Sequence, residues 1–188
     1  RDRADDAFFG FAAGAQSAKP VFFPTDELLW RGRRTAQGRG VEVDLGPGTA
    51  QEDGPVALLG VRSCDLSALG IHDTVLSGRR AADAHYARRR TDAFVVAVAC
   101  SDPGGTCFCV SMGTGPRPGA GRGAPFDLCL TELLDGGHRF LVEVGTDRGT
   151  ELLDAIGAPP AAPTDEAAAA RVTEQASARM GRRLETDG

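Results

Sequence analysis

Four of the five cysteines in this chain, Cys64, Cys100, Cys107 and Cys109, stand where they could close around one centre. The first lies in Gly60-Val61-Arg62-Ser63-Cys64-Asp65-Leu66, and the other three share the turn Cys100-Ser101-Asp102-Pro103-Gly104-Gly105-Thr106-Cys107-Phe108-Cys109. A [4Fe–4S] cluster is held by Cys thiolates, normally four, whereas a disulfide uses two and a lone buried Cys behaves as a small hydrophobe. Cys129, within Phe126-Asp127-Leu128-Cys129-Leu130-Thr131, reads as part of a buried strand and as core filler, and is left out of the candidate site.

The elements that must position these thiols are legible as a βαβ unit. Pro55 to Val61 and Phe94 to Ala99 are short apolar runs of the kind expected of parallel strands buried on both faces, and each leads into a cysteine. Between them Leu66, Leu69, Ile71, Val75 and Leu76 recur at roughly helical spacing over Asp65 to Leu76, and Asp83 to Arg90 extends the crossover. Two parallel strands point the same way, so the ends carrying Cys64 and Cys100 emerge on one sheet edge, where parallel sheets bind ligands. Neighbouring strands lie about 4.8 Å apart, so distance is no obstacle. Pro103, Gly104 and Gly105 let the chain turn sharply and present amides inward, which suits an anionic cluster. Cys64 falls at the start of the crossover helix, whose dipole favours an anion, although Asp65 opposes it. Arg62 reads either as a cation that offsets cluster charge and lowers a thiol's pKa or as a surface arginine.

The residues alone leave other readings open. The spacing is unlike the ferredoxin run C-x2-C-x2-C-x3-C-P. Zinc accepts four cysteines, but its structural sites usually show paired C-x2–4-C knuckles, and here the close pair is C-x-C with the third cysteine seven positions upstream. A zinc-stabilised scaffold or interaction module without redox activity is therefore the alternative, and unconnected structural cysteines are a further one. Disulfides are disfavoured by the odd count and the lack of a secretory segment. His72, His85 and His138 share no local spacing, so no catalytic His/Cys pair can be argued and no catalytic residue is assigned. No G-x-G-x-x-G follows a strand, and Gly113-Thr114-Gly115 precedes no helix.

The stretches GVRSCDLSALGIHDTVL, VVAVACSDPGGTCFCVSMGTGP, FDLCLTELLDG and FLVEVGTDRGTELL, covering about half the chain, resemble the iron–sulfur beta subunit of sulfhydrogenases, cytoplasmic nickel–iron hydrogenases. They are also similar to the iron–sulfur subunit of anaerobic sulfite reductases. The joint occurrence of GVRxCDL and CFCxSMGxGP carries the resemblance. It implies a non-catalytic electron-transfer subunit of a cytoplasmic oxidoreductase complex, with partners in a flavin subunit that handles NAD(P)H and a catalytic metal-containing subunit. Members of that family continue into a ferredoxin-like module with two further cysteine-rich motifs, which this sequence lacks. With no initiator Met and no such module, the chain reads as a fragment of a longer polypeptide.

Around this core the sequence predicts an α/β fold: a mixed sheet with a parallel βαβ core and a C-terminal hairpin. At 188 residues the chain can bury a sizeable core, and its 41% hydrophobic content is ordinary for a soluble domain. No apolar stretch approaches the roughly 20 residues of a membrane helix, and cysteines kept as ligands point to a reducing cytoplasm. A net charge of −5 argues against nucleic acid, and Arg31 to Arg34, Arg79-Arg80, Arg88 to Arg90 and Arg182-Arg183 read as solvated charges. Phe8, Phe9, Phe11, Phe22, Phe23 and Trp30 are expected to pack as an N-terminal layer, with a helix from Asp26 to Arg31 capped by Thr25. Val41 to Leu45 reads as a strand, Gly46 to Gly54 as a polar turn, and Gly104 to Gly123 as an irregular surface loop. Phe126 to Thr131 and Arg139 to Val144 form the hairpin across Asp135-Gly136-Gly137. Arg148 to Ile156 reads as a helix. The proline-rich 157–163 break then leads to a helix from Asp165 to about Leu184, capped by Thr164-Asp165-Glu166, with a thin stripe of Ala167, Ala170, Val172, Ala176 and Met180. Residues 1–157 are thus expected to bind the cluster and 158–188 to form a weakly anchored helical linker.

Overall fold

The computed structural model describes residues 4–12, 14, 17–35, 40–45, 54–78, 82–119 and 123–186. Its centre is a four-stranded sheet in the order β3-β4-β5-β6. In chain order, α1 (Lys19–Phe22), β1 (Trp30–Arg34) and β2 (Val41–Leu45) precede the first sheet strand, β3 (Ala57–Val61). Helices α2 (Ser63–Leu76) and α3 (Ala84–Asp92) form the crossover to β4 (Phe94–Val98). Then follow β5 (Leu128–Leu133), β6 (Arg139–Val144), α4 (Asp147–Ile156) and α5 (Pro163–Ala178). Strands β3 and β4 pair in parallel, Leu58 opposite Val95, and β4 pairs in parallel with β5, Ala97 opposite Cys129. β5 and β6 are antiparallel, Leu130 opposite Val142. The fold is α/β with a mixed sheet, a parallel βαβ core and a C-terminal hairpin, as the apolar runs implied.

Burial explains why these segments hold. Val61, Leu66, Val95, Ala97 and Cys129 close one core cluster between the sheet and α2. Phe22, Leu69, Tyr86, Ala93 and Ala124 close a second beneath α3, where the Tyr86 hydroxyl donates to Asp73 at 2.6 Å. Side chains of this size contribute about 1.5–3 kcal/mol each when fully buried, so the βαβ unit is anchored by its own crossover. The buried Asp127 carboxylate stitches the next connection, accepting the Val95 amide at 2.7 Å and the Thr146 hydroxyl at 2.6 Å. Thr146 in turn caps α4 through the Gly149 amide, and Gly157 ends that helix in the left-handed conformation, φ 64°.

Four expectations are corrected. The helix from Asp26 to Arg31 does not form; residues 26–29 are irregular and Trp30–Arg34 is strand β1, paired antiparallel with β2. Glu27 is drawn instead to Arg89 at 2.5 Å and His85 at 3.3 Å on α3. Strand β3 is not buried on both faces, because it is the edge of the sheet, and Leu59 is 67% exposed. The aromatic layer is partial: Phe22 is enclosed and Phe9 meets Phe140 edge-on, but Phe8, Phe11, Phe23 and Trp30 are exposed. The last helix starts at Pro163, a residue suited to a first turn, and stops at Ala178. Its buried residues are Ala168, Ala169 and Ala176 rather than Ala167 and Ala170, and Ala168, Ala169 and Val172 pack on Leu133 and Leu141 of the hairpin. The Arg79-Arg80 run and nearly all of the 46–54 turn lie outside the described residues.

Candidate functional site

Cys64 is the second residue of α2, which begins directly after β3. Arg62 caps that helix: its backbone amide donates to the Asp65 carboxylate at 3.1 Å, and Ser63 donates its hydroxyl to the carbonyls of Thr114 and Arg117. Cys100 follows β4 by two residues, so both cysteines leave the same edge of adjacent parallel strands. The loop after Cys100 is closed at its base by the Cys100 amide on the Pro116 carbonyl, 3.1 Å. Inside it the Cys107 amide bonds to the Gly104 carbonyl at 3.0 Å, while the Gly104 amide donates to the Cys107 Sγ at 3.3 Å. Thr114 ties back to the Cys109 carbonyl through its amide, 2.9 Å. Gly115 passes between the halves of the site: a Cβ there would stand 3.0 Å from the Cys109 Sγ and 3.1 Å from the Ser63 Cβ. Only glycine lets the loop lie so close to the helix start.

The four thiols act on one another. Burial first, then the charges of Asp65, Cys109 and Cys100, push the Cys64 thiol up to about 11. Burial also raises Cys100, with Cys107 adding to it, and raises Cys109, with Cys100 and Cys107 adding to it. Charge on Cys100 or Cys109 would be felt at Cys64, and charge on Cys107 at Cys100 and Cys109. Cys129 is apart from it. It is 1% exposed in the core of the sheet, and burial and Glu143 push its thiol up to about 12.

Arg62 is not a surface arginine. Buried, it donates through Nη1 to the Ala99 carbonyl at 3.1 Å and through Nη2 to the carbonyls of Phe9 at 2.5 Å and Phe11 at 3.2 Å. Its charge lowers Cys100 rather than its sequence neighbour Cys64. The same N-terminal segment is held by Glu132, a buried carboxylate accepting the amides of Phe8 at 2.6 Å and Phe9 at 2.9 Å and facing His138 Nε2 at 2.8 Å. Sequence reasoning passed over Glu132, although one acid inside an otherwise uncharged strand was its signal.

Among the described residues, no three His, Cys, Asp or Glu side chains stand close enough to hold a single metal ion. A structural zinc needs every donor about 2.3 Å from one atom. A four-iron cube gives each thiolate its own iron, so its donors stand further apart. The chemistry of the donors suits such a group: Cys64, Cys100 and Cys109, raised chiefly by burial, ionise readily only against added positive charge, and the Gly104 amide points at the Cys107 sulfur.

No family model and no solved structure matches the chain. Over 101 residues it is 40% identical to the sulfhydrogenase 2 subunit beta of Pyrococcus furiosus, a match covering 54% of this chain. The chain spans about a quarter of the length of that curated relative, 27%. Among the described residues, no helix is long and apolar enough to cross a membrane.

Proposed function

We propose that this chain, related to the beta subunit of a sulfhydrogenase, is the electron-transfer part of a cytoplasmic oxidoreductase complex of the hydrogenase or sulfite reductase type. Cys64, Cys100, Cys107 and Cys109 hold one [4Fe–4S] cluster, which when bound accepts and returns a single electron. The observation that supports this reading is that Cys64 and Cys100 leave the same edge of two adjacent parallel strands, with Cys107 and Cys109 in the loop that follows Cys100.

The chain's own residues have separable tasks. The four cysteines give up their protons to hold the cluster. Arg62 supplies a fixed positive charge beside Cys100 and ties the residue before it to the N-terminal segment. The Gly104 amide donates to the Cys107 sulfur, a contact of the kind that tunes cluster potential. Cys129 holds the sheet together. Residues 1–157 form the cluster-binding unit and 158–188 a helical linker segment whose helix starts out packed on the hairpin. Its partners are a flavin subunit that handles NAD(P)H and a catalytic metal-containing subunit.

Metal analysis after oxygen-free purification tests the reading. About four iron and four acid-labile sulfide per chain, in a brown protein, are expected of one cubane. A colourless protein with one zinc per chain would replace it with a scaffold role.

A further inference from the structure

Beyond α5, residues 179–184 run back along the cysteine loop. Arg179 reaches the Ser101 carbonyl at 2.5 Å and the Asp102 carboxylate at 3.6 Å. The Arg182 amide donates to the Cys107 carbonyl at 3.0 Å, and the Leu184 amide to the Ser111 hydroxyl at 3.0 Å. Between them Gly181 lies so close to the cysteine loop that a Cβ on it would stand 2.5 Å from the Gly105 Cα and 2.6 Å from the Gly104 carbonyl. Arg179, Gly181, Arg182 and Leu184 thus lie along the loop from Ser101 to Ser111. Helix α5 is fixed to the hairpin through Ala168 and Ala169, so the segment is delivered from a rigid base.

The contacts are selective within the site. They fall on Ser101, Asp102, Gly104, Gly105, Cys107 and Ser111, and none falls on Cys64 or on the start of α2. The loop's own restraint at this point is one turn, the Cys107 amide on the Gly104 carbonyl and the Gly104 amide on the Cys107 sulfur. Gly104 is pressed from elsewhere too, since a Cβ on it would meet the Ala12 Cβ at 3.1 Å.

We propose that residues 179–184 are a positioning element of the thiol site, holding the Gly104–Cys107 turn closed so that Cys107 is presented with the other three thiols. The proposal concerns the same site as the proposed function, but its thiol readout is independent of whether iron binds. Gly181 is the point of closest approach, and a larger residue there must lift the segment off the loop.

Alkylation kinetics with iodoacetamide on the reduced, metal-free full chain, resolved cysteine by cysteine by peptide mass spectrometry, test it. In Gly181→Val the labelling rate of Cys107 is expected to rise at least about fivefold, as local opening becomes easier, while Cys64 and the core Cys129 stay within about twofold of the parent. Arg179→Gln, which removes the contacts to Ser101 and Asp102 without crowding the loop, is expected to act in the same direction and more weakly. After reconstitution with iron and sulfide, both variants should release iron to a chelator faster than the parent. An unchanged Cys107 rate in both variants overturns the proposal, as does a joint rise of all five cysteines in both, which would make the segment a general element of the fold. A chain that takes up no iron yet shows the selective Cys107 effect would overturn the proposed function and leave the positioning role standing.

Discussion

At the scale of single residues the site combines donors that the sequence displays openly with supports that it conceals. Cysteines at 64, 100, 107 and 109 could be singled out because thiols are rare and strand ends are readable. Arg62 could not be placed, because its partners are carbonyls at Phe9, Phe11 and Ala99, remote in sequence and silent in composition. Replacing any of the four cysteines by Ser should remove most of the iron and loosen the loop, since metal-binding free energy is partly folding free energy. Cys129→Ser should keep full iron and cost about 1–3 kcal/mol in urea unfolding, through a buried hydroxyl in an apolar core. Glu132→Gln should cost about 1–2 kcal/mol by the same measurement, since a neutral amide accepts less well from the Phe8 and Phe9 amides than a carboxylate does.

The thiols also set a pH dependence whose sign is fixed. A thiol raised in the folded state is favoured there in its protonated form, so its contribution is complete below the ordinary value of about 9 and is lost as pH rises through the folded value. Cys64 at about 11 and Cys129 at about 12 place that loss between pH 9 and 12. The melting temperature of the metal-free chain should fall across this window, and buried Tyr86, likewise raised by burial and its hydrogen bond to Asp73, adds to the fall above pH 10. A flat profile there would contradict the burial of these thiols. Iron uptake should show the opposite dependence and improve as pH rises from 6 to 8, because the ligands must release protons.

At the scale of elements, the strands and crossover were readable because β4 and β5 write themselves as apolar runs and α2 as an apolar-rich segment of helical length, although Ile71 and Val75 of its predicted face are exposed. Two features escaped for physical reasons. Strand β1 has every described residue exposed and takes its order from pairing with β2, so no core pattern marks it. In α5 alanine occupies both the buried and the exposed positions over Ala167 to Ala170, and such a run carries no phase. The structure sets that phase. Ala168→Asp should destabilise by more than about 2 kcal/mol, by placing a carboxylate against Leu133, whereas Ala167→Asp should stay within about 0.5 kcal/mol. Equal losses in thermal unfolding would show that the helix packs in a different rotation.

At the scale of the whole molecule, Phe108, Val110 and Met112 stand exposed on the loop that carries Cys107 and Cys109. In the proposed complex this is the face a neighbouring redox subunit covers. Hydrogen exchange of the isolated chain against the assembled complex should show protection concentrated in residues 104–115, with the exposed β1–β2 ribbon unchanged.

The central claim is that these four thiols hold one cluster that exchanges one electron, and a redox titration of the anaerobically purified chain, followed by electron paramagnetic resonance, addresses it most directly. The expected result is a silent oxidised protein that gains, on reduction, a single spin-half signal integrating to about one per chain and titrating as a one-electron couple, with that signal lost in Cys64→Ser and retained in Cys129→Ser. A chain that stays silent at every potential while carrying one zinc, or a signal that survives loss of Cys64, Cys100, Cys107 and Cys109 alike, would contradict it.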